Sequence, residues 1–84
     1  MDDQSILRRI EALVSEEHEL QSDEAGSAVT EETLATDRER LGAVSRELDQ
    51  CWDLLRRRRA LRGAGADPDA AEPRDTDTVE RYLQ

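Results

Sequence analysis

The residues of this chain with chemical potential are few, and they fall in four places. His18 stands among Glu16, Glu17 and Glu19, and a histidine among carboxylates can hold a metal or move a proton. No second histidine exists and no Glu-x-x-His pair is formed, since position 15 is Ser. The expectation is therefore a boundary residue hydrogen-bonded to a neighbouring helix, with no metal and no cofactor. Cys51 is the one cysteine, which rules out an intramolecular disulfide and a multi-cysteine metal site. With no base near it in the pattern, it reads as a small buried thiol. Arg56, Arg57, Arg58 and Arg59 form the densest charge cluster. Four consecutive helical residues wrap around the axis, so they make no flat basic face. Asp53 lies within reach of Arg56 and Arg57 at spacings of three and four. The helix-end dipole also favours cations there, so a self-neutralised helix end is expected ahead of a docking site for an acidic partner or RNA. The fourth place is an acidic group, Asp23, Glu24, Glu31 and Glu32, around a turn. No glycine-rich phosphate loop, nucleophile elbow or ligand array occurs, so no enzyme is expected and no catalytic residue is assigned.

The elements that carry these residues are helices. Ile6, Ile10, Leu13, Glu17 and Leu20 recur at spacings of four and three, flanked by Leu7 and Val14. This is one amphipathic stripe, capped by Asp2 or Asp3 and expected to run from about residue 3 to about 21. Ser22, Asp23, Gly26 and Ser27 read as loop. A second helix is expected over about 31–62. Its start is open between Thr30, Thr33 and Thr36, the last heading a capping box with Glu39. Leu34, Leu41, Leu48 and Leu55 follow at intervals of seven, with Val44 and Cys51 three residues after Leu41 and Leu48. That is a coiled-coil-like seam. The glycines at 63 and 65 end it, residues 63–74 read as a linker, and Asp77 is placed to cap a final helix within 75–84 whose Val79, Tyr82 and Leu83 share a face. The fold class is all-α: an antiparallel helical hairpin over 1–62 plus a short C-terminal docking helix. Ile6, Ile10, Leu13, Leu41, Val44, Leu48 and Leu55 are the expected core.

Composition sets limits on function. Leu, Ile and Val number sixteen among 84 residues, with no Phe, and the net charge is -9. Such a thin aliphatic core invites a partner. Helix two outruns helix one, leaving Trp52, Leu55 and Leu61 in want of cover from the final helix or from a second protomer, with Trp52 as the anchor for either. Residues 1–33 carry net -8 and residues 34–62 net +3, which favours antiparallel contact. An acidic total argues against nucleic acid as the main partner, and a basic-zipper DNA binder would carry its basic stretch before the leucines, where this chain is acidic. No apolar run approaches the ~20 residues of a membrane span. The acidic start, Met1-Asp2-Asp3-Gln4, is unlike a signal peptide, so a cytoplasmic location is expected.

Met1 to Leu7, Leu13-Val14 with Glu16-Glu17-His18, and the run Leu48-Asp49-Gln50-Cys51-Trp52-Asp53-Leu54-Leu55-Arg56 carry a family likeness. Asp67-Pro68-Asp69 and Val79 to Gln84 extend it. On these residues the chain resembles the actinobacterial domain-of-unknown-function family 2630. The resemblance implies a small helical protein with no assigned activity, and a folded unit that includes residues 79–84. The expected role is a non-enzymatic interaction or scaffold protein, acting as a homodimer or with an unidentified protein partner. Trp52, Arg56, Arg57, Arg58, Arg59 and Tyr82 are its candidate contact residues. Two alternatives are carried. The acidic tip of Asp23, Glu24, Glu31 and Glu32 resembles in outline the helical hairpins that enter the secondary channel of RNA polymerase, where tip carboxylates act at the catalytic Mg²⁺. The Arg cluster offers a contact for RNA or the ribosome.

Overall fold

A computed structural model describes residues 2–26 and 30–83 of the chain, with side chains over 2–22 and 30–82. Three α-helices follow one another: α1 (Asp3–Gly26), α2 (Glu31–Gly63) and α3 (Thr76–Leu83). A single 3₁₀ turn, Pro68–Ala70, lies between α2 and α3. No strand occurs among the described residues.

Each described helix start has a side-chain cap. Asp2 Oδ1 accepts from the Ser5 amide at 2.7 Å. Thr30 Oγ1 accepts from the Thr33 amide at 3.2 Å, which settles the start of α2 at the first of its three threonines. Asp75 Oδ1 accepts from the Thr78 amide at 2.7 Å; Asp75, and not Asp77, caps α3. The same Asx geometry gives Asp67 to the 3₁₀ turn. All four caps follow from local bonding that satisfies first-turn amides.

α1 continues to Gly26 rather than ending near residue 21. Ser22 and Asp23 cost only tenths of a kcal/mol in a helix, on the order of a weak propensity penalty. Glu24 and Ala25 are good formers, and the stop comes at a glycine. Five added residues lengthen α1 by about 7 Å. That extra length is why α1 reaches residues of α2 expected to lie beyond it. Arg9 Nη2 donates to Glu47 at 2.7 Å, Arg40 Nη2 donates to Glu16 at 2.9 Å, and Asp3 receives both Arg58 and Arg62. These pairs fix an antiparallel register from Asp3 to Glu16 of α1.

Ile6, Ile10, Leu54 and Leu55 form the main buried cluster, with Leu48, Cys51 and Ala71 packed partly against it. Leu13, Val44 and Val79 are also buried. Leu55 is therefore covered by α1 and needs no other lid. Leu54 is a core residue that the heptad pattern passes over. Leu41 and Leu48, expected in the core, are only half-buried. The reason is geometric: a straight helix drifts about 20° per heptad against a seven-residue repeat. The leucine row thus winds around α2, from half-buried Leu34 through Leu41 and Leu48 to Leu55, the one that is fully enclosed. Leu48→Ala should accordingly cost no more than about 2 kcal/mol, the lower edge of the range for fully buried leucines. Denaturant unfolding checks it, and a larger loss would place Leu48 at the centre of the core.

The linker is a strap. Arg57 Nη2 donates to the Glu72 carbonyl at 2.6 Å, Arg58 Nη1 to the Pro68 carbonyl at 3.3 Å, and Gln50 Nε2 to the Arg74 carbonyl at 2.6 Å. Residues 67–75 are thereby laid along α2. Leu61 shares a hollow with Ala70 and Ala71 of this segment, so the strap shelters it, and α3 does not.

Candidate interaction surface

The four arginines expected to act together have separate tasks. Arg57 Nε donates to Asp53 Oδ2 at 3.0 Å, and Arg56 approaches the other oxygen at 3.4 Å. Arg58 is buried and bridges Asp3 at 2.7 Å and Asp69 at 2.8 Å. Those two carboxylates hold its guanidinium firmly charged, Asp3 first. Asp3 is in turn lowered from its ordinary carboxyl range by Arg58 and then Arg62. Arg59 is exposed and has no ion-pair partner among the described residues. The helix end is self-neutralised at three of the four positions, and the cluster ties α1, α2 and the strap together. Sequence reasoning found Asp53 as the local partner. It missed Asp3 and Asp69, whose distances along the chain carry no periodic signal.

The other chemical candidates stay apart. His18 is exposed, and no hydrogen bond joins it to α2 among the described side chains. No cluster of three or more potential metal ligands occurs among the described residues. Cys51 is half-buried beside a cleft of about 260 Å³ lined with Arg9, Glu47, Gln50, Leu54 and Pro73. Burial pushes its thiol up, away from the thiolate that reactivity requires. Glu31 and Glu32 are exposed in the first turn of α2, where the helix dipole favours them. The side chains of Asp23 and Glu24 lie outside the described residues, so the four-carboxylate tip is described only in its α2 half.

Trp52 is 46% exposed and Tyr82 68%. Trp52 shares a shallow hollow with Leu55, Arg56 and Arg59. Tyr82 lies at another hollow with Thr78 and Arg81, under the Arg74 guanidinium, 4.8 Å from the ring centroid. Trp52 does not anchor α3, the first of the two partners expected for it. That helix approaches α2 beside Arg46, Asp49 and Gln50, which at about 100° per residue project from a different part of the helix.

The ion pairs show what remains uncovered. Arg9–Glu47 and Glu16–Arg40 line one flank of the α1–α2 seam. Helical periodicity then puts Leu7 and Val14 of α1 on the opposite flank, together with Leu41, Leu48 and Trp52 of α2. Among the described residues neither the strap nor α3 reaches that flank, because both contact α2 on its far side and on the Glu47 side. Leu7 and Val14 are 36% and 37% exposed. The open flank is an apolar row along both helices.

Fold and surface together define a small all-α hairpin protein with a strapped-on C-terminal helix. The chain belongs to the family of proteins of unknown function DUF2630, whose family model matches residues 2–84. Uncharacterized proteins of Mycobacterium tuberculosis and Mycobacterium bovis are 42% identical to it over 80 residues, covering 95% of this chain and 88% of the relatives. No solved structure matches it. No described helix is long and apolar enough to cross a membrane.

Proposed function

We propose that this protein is a non-enzymatic interaction module of the cytoplasm that pairs with a second copy of itself through the open flank of the hairpin. The observation that carries this reading is the row of exposed Leu7, Val14 and Trp52, continued by half-buried Leu41 and Leu48, on a flank away from the described contacts of the strap and the final helix. A half-exposed tryptophan amid leucines is the kind of residue that dominates association energy. Charge supports a copy of the same chain as the occupant. Glu11 on α1 and Arg59 on α2 are exposed toward this flank, and a two-fold antiparallel pairing sets the acidic helix of one copy against the basic end of the other.

Sedimentation tests it. The expected species has twice the 9.5 kDa chain mass, and Trp52→Ala weakens the association roughly 30-fold or more, the scale of an interface hot spot. The variant should keep its helical content, because Trp52 contributes little to the core of a single copy. A monodisperse single-chain species at high micromolar concentration would overturn the reading. The polymerase-channel and RNA alternatives have less support. Three of the four clustered arginines are engaged by the chain's own acids, and RNA contact through them would require a steep salt dependence of capture.

A further inference from the structure

Among the described residues α3 packs on α2 and not on α1. At eight residues it is shorter than the ~12–15 at which isolated helices become even marginal in water. Its helicity therefore depends on docking, and its anchors are few. Val79 is 1% exposed, the Arg74 carbonyl is held by Gln50, and the Arg74 guanidinium lies 3.8 Å from Asp53.

Next to Val79, the Glu80 carboxyl meets that of Asp49 across the α2–α3 contact. Glu80 Oε1 is closed off from solvent and has no donor among the described groups. Two ionised carboxylates are acceptors only, so in that state the contact is repulsive and the oxygen stays orphaned. One proton changes both facts: an O–H on one carboxyl donates to the other. The charges around the pair are Arg46 from α2, which favours ionisation, and Asp77 and Arg81, the neighbours of Glu80 on α3. Neither α1 nor the 3₁₀ turn packs against α3.

We propose that a proton shared between the Asp49 and Glu80 carboxyls clasps α3 onto α2, so that docking of the C-terminal helix weakens as pH rises. The contact with Asp49, then burial, hold the Glu80 carboxyl above its ordinary range, against the pull of Arg46. A group raised in the docked state contributes fully at pH below its undocked value, and the contribution disappears as pH climbs through the docked one. Release uncovers Val79 and the surface of α2 around Asp49 and Gln50. This surface is separate from the open flank, so the clasp stands or falls independently of self-association.

The test follows Val79 methyl and α3 backbone resonances of the full chain from about pH 4 to about pH 8, where one proton changes the docking constant at most about tenfold per pH unit. Leu13 and Leu55 methyls report whether the hairpin stays intact. In the parent protein the α3 signals should shift from docked toward released as pH rises while the hairpin signals hold. Glu80→Gln, whose amide donates to Asp49 without a proton, should stay docked throughout, and Asp49→Asn should do the same. Docking that ignores pH in the parent chain, or release of α3 by Glu80→Gln, would overturn the clasp. Docking at neutral pH that appears with calcium and vanishes on chelation would overturn it in favour of a bridging cation.

Discussion

Leu55→Ala should destabilise the protein by about 2–5 kcal/mol, the range for truncating a fully enclosed leucine. Leu55 is 1% exposed and stands in the main buried cluster between the two long helices, with Ile6 and Ile10 on one side and Leu54 on the other. The substitution forfeits the transfer energy of the lost carbons and leaves a cavity that two long, ion-paired helices cannot easily close. Small domains have only about 5–15 kcal/mol of stability in total, so the variant should lie near the limit of folding. Denaturant unfolding should show a lower midpoint with the slope unchanged. A loss below about 0.5 kcal/mol, the level of a neutral surface change, would mean that α1 does not cover this end of α2. The seven-residue spacing alone would assign the same cost to Leu41, Leu48 and Leu55; the drift of the row around α2 separates them.

That contrast marks how far the sequence can be read. The stripe of Ile6, Ile10 and Leu13 is legible because burial on one face of a helix forces a spacing of three and four, and all three are core. The sequence leaves the start of α2 open among three threonines, and the bond from the Thr33 amide to Thr30 chooses among them. The extension of α1 to Gly26 is not legible, since Ser22 and Asp23 look the same at a loop and in the last turns of a helix. The consequence spreads: an α1 that ends near residue 21 leaves Leu55 unsheltered and Trp52 in want of cover. The strap is hidden for another reason. Its acceptors are the carbonyls of Pro68, Glu72 and Arg74, and a main-chain carbonyl has no residue-type signature. The candidate surface was half legible. Trp52 was picked out for its size, whereas Leu7 and Val14 look like flanking core residues until the ion pairs show which side of the seam is closed.

Asp53→Ala should be the second large loss, about 1–3 kcal/mol for removing a charged acceptor. Asp53 is 3% exposed, yet its position on α2 faces away from α1, where a carboxylate would ordinarily be solvated. It is enclosed by the arginines it attracts: Arg57 at 3.0 Å, Arg56 at 3.4 Å and Arg74 at 3.8 Å. Two of these do further work, because Arg57 holds the Glu72 carbonyl and Arg74 lies over Tyr82. Without the anion, three like charges crowd one another and the strap loses the group that aims its main donor. The cost stays below the 3–5 kcal/mol of a broken, fully buried pair, since Arg56 and Arg74 are 66% and 34% exposed and can be re-solvated. Asp53→Asn keeps the volume and one acceptor oxygen, so the difference between the two variants isolates the charge. The damage should also be local, unlike that of Leu55→Ala. Amide exchange and protease cleavage should accelerate over residues 67–75 while the α1–α2 seam keeps its protection. Unchanged cleavage of that segment, with a stability loss below about 0.5 kcal/mol, would show that the strap is held by its carbonyl bonds alone and that Asp53 is merely enclosed by neighbours it does not organise.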